Sequence, residues 1–130
     1  SGTPVGSNPI VSQNFSSSHQ AIDYYASIGS PIYSPFAGTV TVADSKVNYN
    51  DINLSEKSLK SYGSYVMIDC GNGMEILFAH LSSIDVQVDQ VVSAWDIIGT
   101  SGNTGRSFGP HLHFEVYING LRQNPAEYLP

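Results

Sequence analysis

An all-β domain is the fold class that this sequence predicts, and three observations carry it. Short segments rich in β-branched and aromatic residues alternate apolar with polar positions at a period of two, and turn residues bound each of them. Twelve glycines and seven prolines supply the turns. Hydrophobic residues make up 41% of the chain and charged residues only 12%, a balance that argues against a helical bundle. Its 130 residues suffice for one hydrophobic core and not for two, so residues 1–130 are expected to form a single domain.

Taken in order, residues 1–10 read as an N-terminal tail. Strands are expected near Ile32–Tyr33, Gly38–Ala43, Tyr65–Cys70, Met74–His80 and His111–Ile118, where the alternation is clearest. Asn72-Gly73 between two of them favours the positive backbone angles of a tight hairpin turn, which delivers His80 to a strand end. Residues 44–62 are rich in Asn, Ser, Lys and Asp. They far exceed the usual connection of about 4 to 6 residues and read as a surface insertion, with one helical turn around Leu54–Leu59. Gly99–Gly105 lacks the Lys and the following helix of a phosphate-binding loop and reads as a tight loop lining a groove. Asn124–Leu129 closes the chain in a short turn.

Charge and cysteine usage narrow the function. Five Lys plus Arg against eleven Asp plus Glu leave a net charge of -6, and the basic residues are scattered, so no nucleic-acid partner is expected. No apolar run approaches the roughly 18 residues of a membrane span, so no membrane insertion is expected. Cys70 is the sole cysteine; it cannot form an intrachain disulfide and reads as a core residue rather than a metal ligand.

The histidines are the informative residues. All four fall into three short clusters: His19 with Asp23 in His-Gln-Ala-Ile-Asp, His80 in Phe-Ala-His-Leu, and His111 with His113 in Pro-His-Leu-His-Phe-Glu. Imidazole serves either as a neutral metal ligand or as a proton carrier near neutral pH, so this distribution points to a zinc enzyme. On a strand, His111 and His113 project to one face while Leu112 and Phe114 point to the other. Their backbones then lie roughly 6 to 7 Å apart, which lets either or both bind a metal. A fully extended strand would hold His19 and Asp23 roughly 13 Å apart, too far to share an ion, so a bend must intervene. With no cysteine set to close a structural site, three ligands and an open position make a site of catalytic type. The histidines left over are then available to move protons and to stabilise an oxyanion.

In this order the segments resemble the lysostaphin-type (LytM-like) zinc metalloendopeptidases, which cleave peptide cross-links in bacterial peptidoglycan. The resemblance runs from about His19 to Leu129. Beyond the histidine clusters it rests on Gly29-Ser30-Pro31-Ile32-Tyr33-Ser34-Pro35, Ala37-Gly38-Thr39-Val40, Gly71-Asn72-Gly73 and Gly99–Gly105. It implies an antiparallel β-sheet sandwich with a groove walled by loops. It also implies one Zn2+ held by His19, Asp23 and His113, with His80 and His111 acting on the attacking water and the transition state. Ala21 stands where the family has glycine and Cys70 where a histidine is common, changes at positions that leave the zinc residues intact.

The function so implied is a zinc-dependent endopeptidase acting on the stem or cross-bridge peptides of peptidoglycan. It would be a monomer in isolation or part of a larger multidomain or phage protein, and it would work outside the cytoplasm, in the cell wall, periplasm or medium, or on a virion. The alternative is a non-catalytic module of the same fold that binds peptidoglycan or activates another hydrolase. Such degenerate members typically lack ligands, whereas all five residues are present here. Because zinc ligands and a histidine base must be unprotonated, activity is expected to fall below roughly pH 5 to 6.

Overall fold

The computed structural model describes residues 2–45, 62–105 and 107–130. The insertion expected over 44–62, with its helical turn, therefore lies outside the described residues except at its ends. Ten strands are described: β1 (Val11–Gln13), β2 (Ile22–Tyr25), β3 (Pro31–Tyr33), β4 (Gly38–Asp44), β5 (Ser64–Gly71), β6 (Met74–Ile84), β7 (Val91–Val92), β8 (Ile97–Ser101), β9 (His111–Ile118) and β10 (Leu121–Gln123). A single 3-10 turn at Pro125–Glu127 follows, capped by the Asn124 side chain, and no α-helix occurs among the described residues. The strands run in the order β1-β2-β9-β6-β5-β4-β7, with β10 on β9 and β3 joined through β8 to β6. Every pairing is antiparallel.

The expected hairpin is β5-β6. Asn72 at φ 53° and Gly73 at φ 81° form its two-residue loop, the backbone twist that matches the twist of the flanking strands. From this turn β6 runs for eleven residues as the central strand of the fold. One edge pairs with β5 between Met74 and Leu81. The other edge pairs with β9 from Met74 to Ala79 and then with β8 from Leu81 to Ile84. The change of partner falls on His80, whose backbone sits in the left-handed region at φ 63°, a conformation that non-glycine residues seldom adopt. There the sheet forks.

Period-two burial explains what fills the fork. On β9, Leu112, Phe114 and Val116 are fully buried, while His111, His113, Glu115 and Tyr117 occupy the opposite face. On β2, Ile22 and Tyr24 enter the same core, leaving Asp23 on the face of His113. Ile32 from β3 and Ile98 from β8 close onto Val66, Ile68, Ile76 and Phe78 from the main path of strands. Phe78 and Phe114 meet at a centroid distance of 5.2 Å. The sandwich is thus one continuous antiparallel sheet whose two branches enclose a single core.

Two regions are more ordered than their composition suggests. Gly99–Ser101, expected in a loop, belongs to β8, and its small residues answer crowding rather than turning: a Cβ at Gly99 would overlap the Ser83 carbonyl of β6. At the N-terminus, the Pro4 carbonyl accepts a hydrogen bond of 2.8 Å from the Tyr33 amide, and Val5 packs against the core.

Replacing Phe78 with alanine should cost about 3 to 5 kcal/mol in urea denaturation, since it empties the centre of the core. Val91→Ala, at a side chain 76% exposed, should stay within about 0.5 kcal/mol of the wild type.

Candidate metal centre

The fork gathers all five residues singled out in the sequence. Asp23 on β2 lies directly opposite His113 on β9, and Ala79, the last β6 residue before the bend, lies opposite His113 on the other side. Cross-strand neighbours on one face are held about 5 Å apart, so the ladder itself brings carboxylate and imidazole together. His19 precedes β2 in a turn closed by two backbone hydrogen bonds with Ser16, of 2.8 and 3.2 Å. That turn is the bend that His19 and Asp23 need if they are to share one ion. It sets His19 Nε2 3.4 Å from Asp23 Oδ1.

Donor atoms of His19, Asp23 and His113 lie within 4.8 Å of one another. His19 Nε2 is buried without a hydrogen-bond partner. A buried polar atom without a partner is costly unless something binds it, and here it faces a carboxylate and a second imidazole. Two imidazoles and a carboxylate are a donor set suited to a zinc-like divalent ion. The residues present fit a metal.

His80 and His111 flank this triad with ring centroids 4.8 Å apart. His80 Nδ1 donates to the Thr104 carbonyl at 2.7 Å, and His111 Nδ1 donates to the Gly109 carbonyl at 2.8 Å. A carbonyl only accepts, so in each neutral ring the proton sits on Nδ1 and the lone pair on Nε2. His111 Nε2 points into the cluster, 3.7 Å from Asp23 Oδ2. Burial pushes the His80 pKa down to about 4, outweighing the favourable hydrogen bond to Thr104.

His113 is pulled the other way. Burial alone lowers it, but hydrogen bonds to Asp23 Oδ1 (3.0 Å) and Glu115 Oε2 (2.7 Å) lift the pKa to about 9. Both carboxylates are held below their ordinary range despite burial, Asp23 and Glu115 alike, chiefly by His113. Around the cluster opens a groove of about 540 Å³. Tyr62, Ser107 and Pro110 line it, together with Phe108, which is 95% exposed.

Glu115 and Tyr62 escape a reading based on histidine clusters. Glu115 carried a signal in its position, two residues beyond His113 on the same face of a strand; Tyr62 is brought in by tertiary structure alone.

Residues 17–125 match peptidase family M23. The chain belongs to that family. Over 108 residues it is 40% identical to the DD-carboxypeptidase/endopeptidase Mpg of Neisseria meningitidis, an alignment that covers 83% of this chain and 22% of the relative. The chain thus spans about a fifth of the length of this relative. Among solved structures, a zinc-containing peptidase from Vibrio cholerae aligns with a TM-score of 0.81 at 26% identity, covering 95% of this chain and 38% of that one. The catalytic domain of the prophage-encoded M23 protein EnpA from Enterococcus faecalis, carrying one substitution, aligns with a TM-score of 0.76 at 26% identity, with 95% of both chains covered. In this M23 domain an open groove lies over the His, Asp and His donors, on the floor of the forked sheet.

The two perturbed histidines give the metal-free M23 domain opposite pH limbs. His113, raised in the folded state, contributes stability that is complete below about pH 6.5 and is lost as pH rises through about 9. His80, lowered, withdraws stability as pH falls from about 6.5 to about 4. Thermal melts of metal-free protein should therefore peak near pH 6.5 and fall on both sides. Saturating zinc should flatten the alkaline limb, because a ligand ring must give up its proton to bind.

Proposed function

We propose that this chain is the catalytic domain of a zinc-dependent endopeptidase that hydrolyses peptide cross-links of bacterial peptidoglycan. The observation that carries the reading is the convergence of His19, Asp23 and His113 beside two further histidines in one open groove. His19, Asp23 and His113 would hold the ion. Zinc, when bound, supplies a Lewis acid that polarises a carbonyl and lowers the pKa of water.

The remaining chemistry belongs to the chain. His80 takes a proton from the attacking water at Nε2, because Thr104 holds the proton on Nδ1 and burial keeps the ring neutral. His111, oriented by Gly109, shares this work, and in its protonated form it donates to the oxyanion and then to the leaving amine. The Tyr62 ring lines the groove beside His113, while its hydroxyl, kept protonated by burial and by Glu115, donates to the Glu115 carboxylate. An open groove admits a segment of a wall polymer, whereas a small soluble amide is better matched by a closed pocket. The name of the Neisseria relative supports a bond between D-residues, such as D-alanine joined to a diamino acid, over a glycine bridge. Work outside the cytoplasm would follow from this substrate, and the fifth of the Neisseria relative that the chain spans supports a place within a longer protein.

Metal analysis and digestion of purified cell walls test the reading. His113→Ala should lose zinc and activity together, and His80→Ala should keep zinc while turnover falls about 100-fold or more. Wall cleavage by both variants would refute it, as would stoichiometric zinc without cleavage in the wild type, the behaviour of a binding module.

Since His80 stays neutral down to about pH 4, loss of activity below about pH 5 to 6 is assigned to protons competing for the metal ligands. Raising the zinc concentration should then move the acid limb of the rate profile to lower pH. A limb that stays fixed at saturating zinc would assign it to a proton-transfer residue instead.

A further inference from the structure

β9 carries His111, His113, Glu115 and Tyr117 on one face at period two. The histidines meet the groove; Glu115 does not. Its side chain is almost wholly buried, and its neighbour across the ladder on β6 is the buried Leu77. A carboxylate there needs several partners to offset its desolvation, and it has them. Tyr62 Oη lies 2.9 and 3.1 Å from its two oxygens, Tyr117 Oη donates at 2.6 Å, and Arg122 Nε stands 3.6 Å away. Arg122 also donates to Tyr117 Oη at 3.2 Å and to Tyr62 Oη at 3.4 Å. The remaining contact is the 2.7 Å hydrogen bond with His113 Nε2.

We infer that Glu115 is the positioning residue of the metal centre: it holds the His113 proton on Nε2, fixes the ring plane and leaves Nδ1 as the nitrogen that faces His19 and Asp23. The inference rests on the reading of His113 as a ligand. Its geometry is independent of that reading. Nδ1 is the atom beside Asp23, at 3.0 Å, and Nε2 is turned away to the carboxylate. A ligand imidazole whose second nitrogen donates to a fixed carboxylate has one tautomer and one orientation, and it is a stronger base toward the metal. The clamp joins β9 to β10 through Arg122 and to the chain entering β5 through Tyr62, so three segments hold one ring. Tyr62 both anchors Glu115 and lines the groove, which gives the substrate wall a direct connection to the ligand's orientation.

The test uses the whole chain, metal-free and reloaded with zinc. Zinc affinity is measured by competition with a chromophoric chelator in the wild type, Glu115→Gln, Glu115→Ala and Tyr117→Phe. In parallel, the ring nitrogens of His113 are assigned by 15N NMR in the zinc-loaded wild type. Expected are an Nε2–H, Nδ1-coordinated ring in the wild type and an affinity about 10- to 100-fold weaker in Glu115→Ala. Glu115→Gln, which keeps an acceptor oxygen of the same reach, should recover part of that loss, and Tyr117→Phe should lose less than either. Affinity within about twofold of the wild type in both Glu115 variants would overturn the inference, and so would an Nδ1–H ring coordinated through Nε2. If Glu115→Ala does not fold, the wild-type NMR assignment and the Glu115→Gln affinity still decide. A wild type that binds no zinc would instead overturn the reading of the centre itself, and the inference with it.

Discussion

The left-handed backbone of His80 is the constraint on which the molecule turns. A strand in ordinary extended geometry would carry on beside β9. Because one residue departs from it, β6 abandons β9 and takes up β8. The departure costs of order 1 to 3 kcal/mol for a side chain other than glycine. What it secures is a gap between two branches of one sheet, with the core sealed beneath it and polar side chains above. The His80 amide donates to the Tyr62 carbonyl at 2.7 Å and its ring to the Thr104 carbonyl at the same distance, so the strained residue is held from both sides. Strain, the fork and a buried imidazole coincide in one residue.

From that gap outward, the centre is built mainly by ladder register. Asp23, His113 and Ala79 lie in one row across β2, β9 and β6, and only His19 comes from a turn. Sliding β2 by one residue along β9 would put Ile22 or Tyr24 in the place of Asp23 and drive the carboxylate into the core. The apolar alternation that packs the core is therefore what aims the polar residues. Stability and chemistry share a single pattern, read from opposite faces of the same strands.

Much of this was legible in the chain. The long strands β4, β5, β6 and β9 are visible because they alternate over many residues, and Asn72-Gly73 names its own turn. The bend between His19 and Asp23 followed from reach alone. The two- and three-residue strands β1, β7 and β10 were not legible, since so few positions establish no period, and β8 was hidden because crowding and turning both select small residues. In the site, spacing left His111 and His113 interchangeable. The fold separates them by their partners: Nδ1 of His111 is taken by the Gly109 carbonyl, while His113 lies opposite Asp23. Glu115 was in plain view as the residue after Phe114, but a carboxylate on a strand declares its role only when its burial is known.

One feature of the triad reaches beyond chemistry. His19 and Asp23 lie near the beginning of the described chain and His113 near its end, with 90 residues between Asp23 and its partner. The sole cysteine leaves the domain without an intrachain disulfide. An ion bound by all three donors would close a loop of some 90 residues, and by the entropy of loop closure such a tie restricts the unfolded chain most when the loop is long. Once occupied, the triad would double as the molecule's clasp. How long the domain resists unfolding would then be set by how slowly it lets go of that ion.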